Sequence, residues 1–252
     1  MAETLLRVAS VSKTFGGLKA VSRVSLDVPQ GSLTALIGPN GAGKTTLFAL
    51  MSGFIAADEG RIELAGQDIT GQPPHLNARL GMARTFQIVQ PFAAQTVREN
   101  IAVGAHLRHP HRADALAQAE AVAHRVGLGP QLDKPASDLT VAGRKRLELA
   151  RALATQPRLL LLDEVLAGLN PQEIGDMIPV VRSIADGGVT VLMIEHVMQA
   201  VMNLAEHVWV LAQGELIAQG TPQAVTRDDR VIEAYLGVGT AARLRAAGGH
   251  HD

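Results

Sequence analysis

The chain has no cysteine among its 252 residues. Disulfides, thiolate chemistry and a cysteine-built zinc site are therefore excluded, which suits a reducing compartment. It has no excess charge of either sign: the formal net charge is −1, with 23 basic and 24 acidic residues. A nucleic-acid partner held by a broad basic field is not expected. No window approaches the 18 or so uninterrupted apolar residues of a membrane span, and the apolar runs Leu159–Leu162 and Val189–Ile194 have strand length. The start, Met1 to Arg7, lacks the basic-then-apolar layout of a secretory signal, so export is not expected and any membrane role is expected to come through a partner. There is no heptad run and no internal repeat. What is present is a composition 47% hydrophobic and 19% charged, enough to bury a substantial core as one large domain or two small lobes.

The most informative stretch is Gly38-Pro39-Asn40-Gly41-Ala42-Gly43-Lys44-Thr45-Thr46. An apolar run, Leu33 to Ile37, precedes it, and Leu47, Leu50 and Met51 follow at helical spacing. The pattern predicts a phosphate-binding loop where a strand hands over to a helix. Its glycines let successive N–H groups turn inward, and the helix start adds partial positive charge. Lys44 is placed to reach the β- and γ-phosphates of ATP, and the Thr45 hydroxyl to ligate Mg²⁺.

Residues 5 to 37 alternate short apolar segments with turn-formers such as Gly16-Gly17 and read as β-rich, and Gly60 to Gly66 as one more strand followed by connection at 69–74. From Gln87 to Asp138 an Ala-rich helical pattern takes over, with Asp114 to Val126 its clearest helix. His106, His109 and His111 fall here; they bracket Pro110 and lack a matching carboxylate, so they read as loop histidines, and His250 and His251 as tail. Residues 140 to 154 predict a helix capped by Thr140. Four leucines then deliver Asp163-Glu164 at the end of a buried strand, and Val189 to Ile194 delivers Glu195-His196 in the same way. Strand tips are where an open α/β sheet gathers its ligand groups. Val208–Ala212 and Glu215–Ala218 read as a hairpin through Gln213-Gly214, 221–236 as short helices and 240–252 as a frayed end.

Hydrolysis of a phosphoanhydride needs an in-line water and neutralised charge. Asp163 is a candidate for the Mg²⁺ shell, Glu164 for the base, His196 for a γ-phosphate contact and Gln87 for completing the metal and water site.

Together these residues resemble the nucleotide-binding subunits of ABC transporters over nearly the whole chain. The likeness rests on Gly38–Thr46, Thr85-Phe86-Gln87, Leu159–Glu164 and His196. It implies an α/β fold with a P-loop NTPase (RecA-like) core sheet, an N-terminal antiparallel β-subdomain and an inserted α-helical subdomain. The implied division of one ATPase domain is 1–86, 87–154 and 155–237, with 238–252 a tail. Phe15 then matches an aromatic that stacks on adenine, the alternative being a plain core phenylalanine. The family's LSGGQ signature falls on Leu139-Thr140-Val141-Ala142-Gly143, with both glycines replaced. In relatives that segment caps the partner's γ-phosphate across a head-to-tail dimer, which implicates Thr140, Ala142 and Gly143 in trans. Phe15 to Val21, Arg84-Thr85-Phe86-Gln87, Leu169-Asn170-Pro171 and Ile232 to Gly237 look like the branched-chain amino acid importer branch, which also serves related small amide and carboxylate solutes. The resemblance implies a homodimer or a heterodimer with a paralogous ATPase subunit, permease subunits, and indirectly a solute-binding protein, at the cytoplasmic face of a bacterial inner membrane. A non-transport ABC ATPase and a nucleotide sensor of weak activity are the alternatives.

Overall fold

The computed structural model describes residues 3–87 and 90–237; the frayed end expected at 240–252, with His250 and His251, lies outside them. In chain order the elements are β1 (Thr4–Phe15), β2 (Leu18–Pro29), β3 (Leu33–Ile37), α1 (Lys44–Met51), β4 (Glu59–Leu64), β5 (Gln67–Asp68), α2 (Pro74–Arg79) and β6 (Met82–Arg84). There follow α3 (Val97–Ala105), α4 (Arg112–Arg125), α5 (Val141–Ala154), β7 (Leu159–Asp163), α6 (Pro171–Asp186) and β8 (Thr190–Ile194). The last are α7 (Met198–Leu204), β9 (His207–Ala212), β10 (Glu215–Gly220), α8 (Pro222–Val225) and α9 (Asp229–Leu236).

Two sheets form. One is antiparallel, ordered β2-β1-β4-β5, and its β1–β2 hairpin turns through Gly16 and Gly17, both at positive φ as a tight two-residue turn demands. The other is ordered β10-β9-β3-β8-β7-β6; β9, β3, β8, β7 and β6 run parallel, and β10 closes the edge antiparallel to β9.

Why the central strands are continuous apolar runs follows from the two cores. Leu160 and Leu162 of β7 enter the core shared with α3 to α7, whereas Leu159 and Leu161 enter the core shared with β1, β2 and α1. Successive side chains point to opposite faces, and with both faces covered every position of β3, β7 and β8 is buried. At about 1.5–3 kcal/mol per buried leucine, such strands make a rigid support for whatever stands at their ends.

The helical layer is α3, α4 and α5, mutually packed. Thr96 and Glu99 form a reciprocal capping box at the start of α3. Gly104 lets α3 press against α5: an added Cβ would stand 2.3 Å from the Arg151 carbonyl oxygen. The helix expected at 114–126 is observed at Arg112–Arg125, and Thr140 caps α5 by accepting from the Gly143 amide at 3.1 Å.

The two-residue β5, α2, β6, α6 and α7 go beyond the expectations. Where 69–74 reads as connection the chain is about to enter α2, a six-residue helix with only Asn77 buried, so no apolar stripe marks it. β6 is three residues long and exists by pairing with β7. α6 starts from a capping box of Asn170 and Glu173 with Pro171 at its first position, a legible start signal; α7 spans less than two turns.

Candidate functional site

The loop between β3 and α1 is shaped by packing as well as by φ. A Cβ at Gly38 would stand 2.0 Å from the Leu211 carbonyl oxygen, and one at Gly43 2.3 Å from that of Ala20. Gly41 has open space around it but φ of 77°. Gly43 caps α1 in the left-handed region without a side-chain hydrogen bond, so the first-turn amides are left for an anion. Lys44 is nearly buried and its Nζ donates to the carbonyls of Gly38 at 2.8 Å and Pro39 at 3.0 Å. Burial lowers its pKa, while Glu164 and Asp163 pull in the opposite direction. Burial raises the pKa of the Tyr235 hydroxyl of α9, and the Gly38 amide at the root of the loop opposes that rise.

A cleft of about 1180 Å³ opens over this loop. One wall is Asn40 to Thr46, another is the β1–β2 hairpin tip with Phe15, and a third holds Gln87, Glu164 and His196. Phe15 is 45% exposed, with the Lys13 ammonium 5.5 Å from its ring centroid; it is a cleft wall, and the core alternative does not hold. The Gln87 amide donates to Glu164 Oε2 at 2.7 Å, and His196 Nδ1 lies 3.9 Å from Glu164 Oε1. Glu164 itself has φ of 50°, a turn that swings its side chain away from the strand line.

Asp163 stands apart from this group. It lines an adjoining groove of about 760 Å³ between β6, α2, α3 and α5, and Thr45 and Gln87 face both spaces. Its Oδ2 accepts from Arg84 Nη2 at 2.8 Å, its amide donates to Thr85 Oγ1 at 3.0 Å, and its Oδ1 has no hydrogen-bond partner among the described residues. Thr45, Gln87 and Asp163, the candidate metal set, all line this groove. A hydroxyl, an amide oxygen and one free buried carboxylate oxygen are hard donors that fit Mg²⁺, an ion that keeps waters and phosphate oxygens in its shell. Among the described residues no three His, Cys, Asp or Glu side chains cluster as a metal cage, the histidines at 106, 109 and 111 included.

Thr140, Ala142 and Gly143 line neither space. Thr140 and Val141 are exposed, Ala142 is half-buried and Gly143 is buried at the start of α5, so within one copy they do not meet the phosphate loop.

Three contacts escaped the linear pattern. Arg84 bridges Asp163 and Ser52 Oγ, 3.1 Å away. Lys145 of α5, nearly buried, donates to the backbone carbonyls of Gln87 and Glu164, each at 3.2 Å. Glu148 of α5 accepts from the Phe86 amide, and burial raises its pKa. The only sequence signal for the last two is a pair of charges on the inward face of an otherwise apolar helix stripe.

A strand, a glycine loop gripping a lysine and a helix, set in a parallel sheet whose neighbouring strand tips carry acids, define a P-loop nucleotide-binding protein. Comparison with known proteins narrows this. Residues 21–167 match the family model described as ABC transporter, and residues 215–241 the one described as branched-chain amino acid ATP-binding cassette transporter. The chain belongs to the ABC transporter ATP-binding family. It is 38% identical to a probable branched-chain amino acid transport ATP-binding protein, LivG, of Archaeoglobus fulgidus, over 92% of this chain and 95% of that protein. It is 39% identical to the high-affinity counterpart BraF of Pseudomonas aeruginosa, over 94% and 99%. Among solved structures, the ADP conformation of an ATP-binding cassette of an ABC transporter superposes with a TM-score of 0.86 at 33% identity, covering 94% of this chain and 100% of that one.

Proposed function

We propose that this chain is the ATP-hydrolysing subunit of an importer for branched-chain amino acids or related small amide and carboxylate solutes. The observation that carries the reading is the convergence of Lys44, Gln87, Glu164 and His196 on one cleft. Relatives that match along almost their whole length carry branched-chain transport in their names, which supports the solute class.

The assigned roles follow from position. Amides of the loop and of the α1 start hold the phosphates, Lys44 exchanges its carbonyl partners for phosphate oxygens, and Phe15 offers a face to adenine. Thr45, Gln87 and Asp163 hold Mg²⁺, whose charge offsets that of the polyphosphate. Glu164 takes the proton of the attacking water, Gln87 orients it, and His196 contacts the γ-phosphate. Thr140, Ala142 and Gly143 reach a second ATPase subunit's nucleotide, in a homodimer or with a paralogue, because within one copy they line neither the cleft nor the groove.

No helix among the described residues is long and apolar enough to cross a membrane. The chain therefore meets its permease as a peripheral subunit, and the groove walled by Phe54, Arg84, Phe86, Val103 and Arg151 is the docking face. Exposed aromatics beside cations suit a short amphipathic helix from a membrane subunit. The solute-binding protein is reached only through that permease.

The deciding experiment compares Glu164→Gln with Lys44→Ala. Glu164→Gln retains ATP affinity while phosphate release falls by about 10²-fold or more, the scale of general-base loss. Lys44→Ala loses nucleotide binding itself, read by calorimetric titration. Wild-type turnover in Glu164→Gln removes Glu164 from the role of base.

A further inference from the structure

Two turns build the reactive wall of the cleft, and they leave neighbouring strands at the same level. Asp163 of β7 pairs with Ile194 of β8, so Glu164 and Glu195 are the first residues past adjacent strand ends. The Glu164 amide donates to the Ile194 carbonyl at 3.0 Å, and the Ala167 amide donates back to the Glu164 carbonyl at 3.1 Å, closing the first turn.

Glu195 does not join its neighbours in the cleft. It is 0% exposed, and its Oε1 accepts from the Leu166 amide at 3.1 Å. The nearby amides of His196 and Val197 favour its charged form. One buried side chain thus ties the Glu164 turn, through the Leu166 amide, to the turn that its own backbone begins and that carries His196. Oε2 has no hydrogen-bond partner among the described residues, and desolvation pushes the pKa up to about 7. A buried acid left part-satisfied is expensive, and a residue kept only for filling space would be apolar.

We propose that Glu195 is a positioning residue of the ATPase centre, a brace between the Glu164 turn and the His196 turn that fixes Glu164 against Gln87 and His196. The distances it protects are short: 2.7 Å from Gln87 to Glu164 and 3.9 Å from His196 to Glu164. Displacing a base by about 1 Å can cost ~10²-fold in rate, whereas the phosphate loop that binds the nucleotide packs elsewhere, against the Leu211 and Ala20 carbonyls. The brace acts on the chemical step and leaves binding alone. This inference rests on the reading of the chain as an ATPase.

The test uses the full-length chain and its Glu195→Ala and Glu195→Gln variants, with Lys44→Ala as control. Glu195→Ala strands the Leu166 amide, so kcat for ATP falls about tenfold or more, the cost of one unmade buried hydrogen bond, while KM stays within about twofold. Glu195→Gln keeps an oxygen for that amide and restores most of kcat. Hydrogen exchange at Leu166 speeds up in the alanine variant and stays slow in the glutamine one. A wild-type kcat in Glu195→Ala, a loss shared between kcat and KM, or a glutamine variant as impaired as the alanine one overturns the proposal. ATP binding that survives Lys44→Ala overturns the ATPase reading instead, which keeps the two failures apart.

Discussion

The Arg84 guanidinium donates to the Asp163 carboxylate at 2.8 Å with both side chains nearly buried, inside a cage of three phenylalanines. Its carbon lies 5.8 Å from the Phe48 ring, 5.7 Å from Phe54 and 5.4 Å from Phe86. One cation therefore touches the candidate metal acid on one side and the groove proposed for the permease on the other. A desolvated guanidinium over aromatic faces gains from their quadrupoles, about 2 kcal/mol in buried sites, which offsets part of its lost hydration.

Breaking such a pair from one side leaves a charge without its counter-ion. Arg84→Met is expected to destabilise the fold by about 3–5 kcal/mol, because Asp163 stays buried and unpaired. The double variant Arg84→Met with Asp163→Asn is expected to recover part of that loss, and urea midpoints for both singles and the double measure the coupling. Additive losses would show that the two side chains do not depend on one another.

Glu195 ties stability to pH. Burial raises its pKa from 4.5 to about 7, Glu164 nearby adds to the rise, and the Leu166, Val197 and His196 amides oppose it. Between about pH 4.5 and 7 the folded chain then holds a proton on this group that the unfolded chain has released. Stability contributed here falls as pH rises through that window and stays low above it. At 1.36 kcal/mol per pH unit the full effect is roughly 3 kcal/mol. Glu148, also raised by burial, acts in the same direction, so the informative quantity is the difference between Glu195→Gln and wild type. That difference is expected to grow in favour of the variant from pH 5 to pH 8 in urea titrations. A difference independent of pH would show that Glu195 titrates in its ordinary range.

How much of this was legible in the sequence depends on distance along the chain. The phosphate loop announces itself because its glycines, lysine and threonines act within nine residues, and β7 and β8 because a sheet covered on both faces asks for unbroken apolar runs. Thr140 was readable as a cap for the same local reason. Arg84 and Asp163 are 79 residues apart, and Lys145 reaches back 58 residues to Gln87; no spacing rule links them, and only the fold brings them into contact. Glu195 read as one more polar group at a strand tip, and its inward turn became visible only with the Leu166 amide beside it. α2 and β6 stayed hidden because each is too short to show a period and draws its stability from its neighbours.

The start of α5 is where this chain departs most from the signature of the family it resembles, and the departure has a physical reading. Thr140 occupies the Gly143 amide, so the free first-turn donors left for a phosphate are the amides of Val141 and Ala142. Val141 is 52% exposed, and on the proposal that a second subunit's nucleotide docks here, a branched side chain is expected to keep its phosphates off the backbone, where glycine would admit them. Replacing Val141 and Ala142 by glycine is expected to raise ATP turnover several-fold and to tighten ATP-driven dimers in a Glu164→Gln background. The helix would lose about 1 kcal/mol per substitution, visible as a lower melting temperature. Thr140→Ala should act oppositely, removing the cap at about 1 kcal/mol and weakening the dimer. Phosphate release and gel filtration with ATP read both arms. Turnover unmoved by either glycine would mean that the helix end does not face a second subunit's nucleotide, and would favour a subunit that senses ATP more than it spends it.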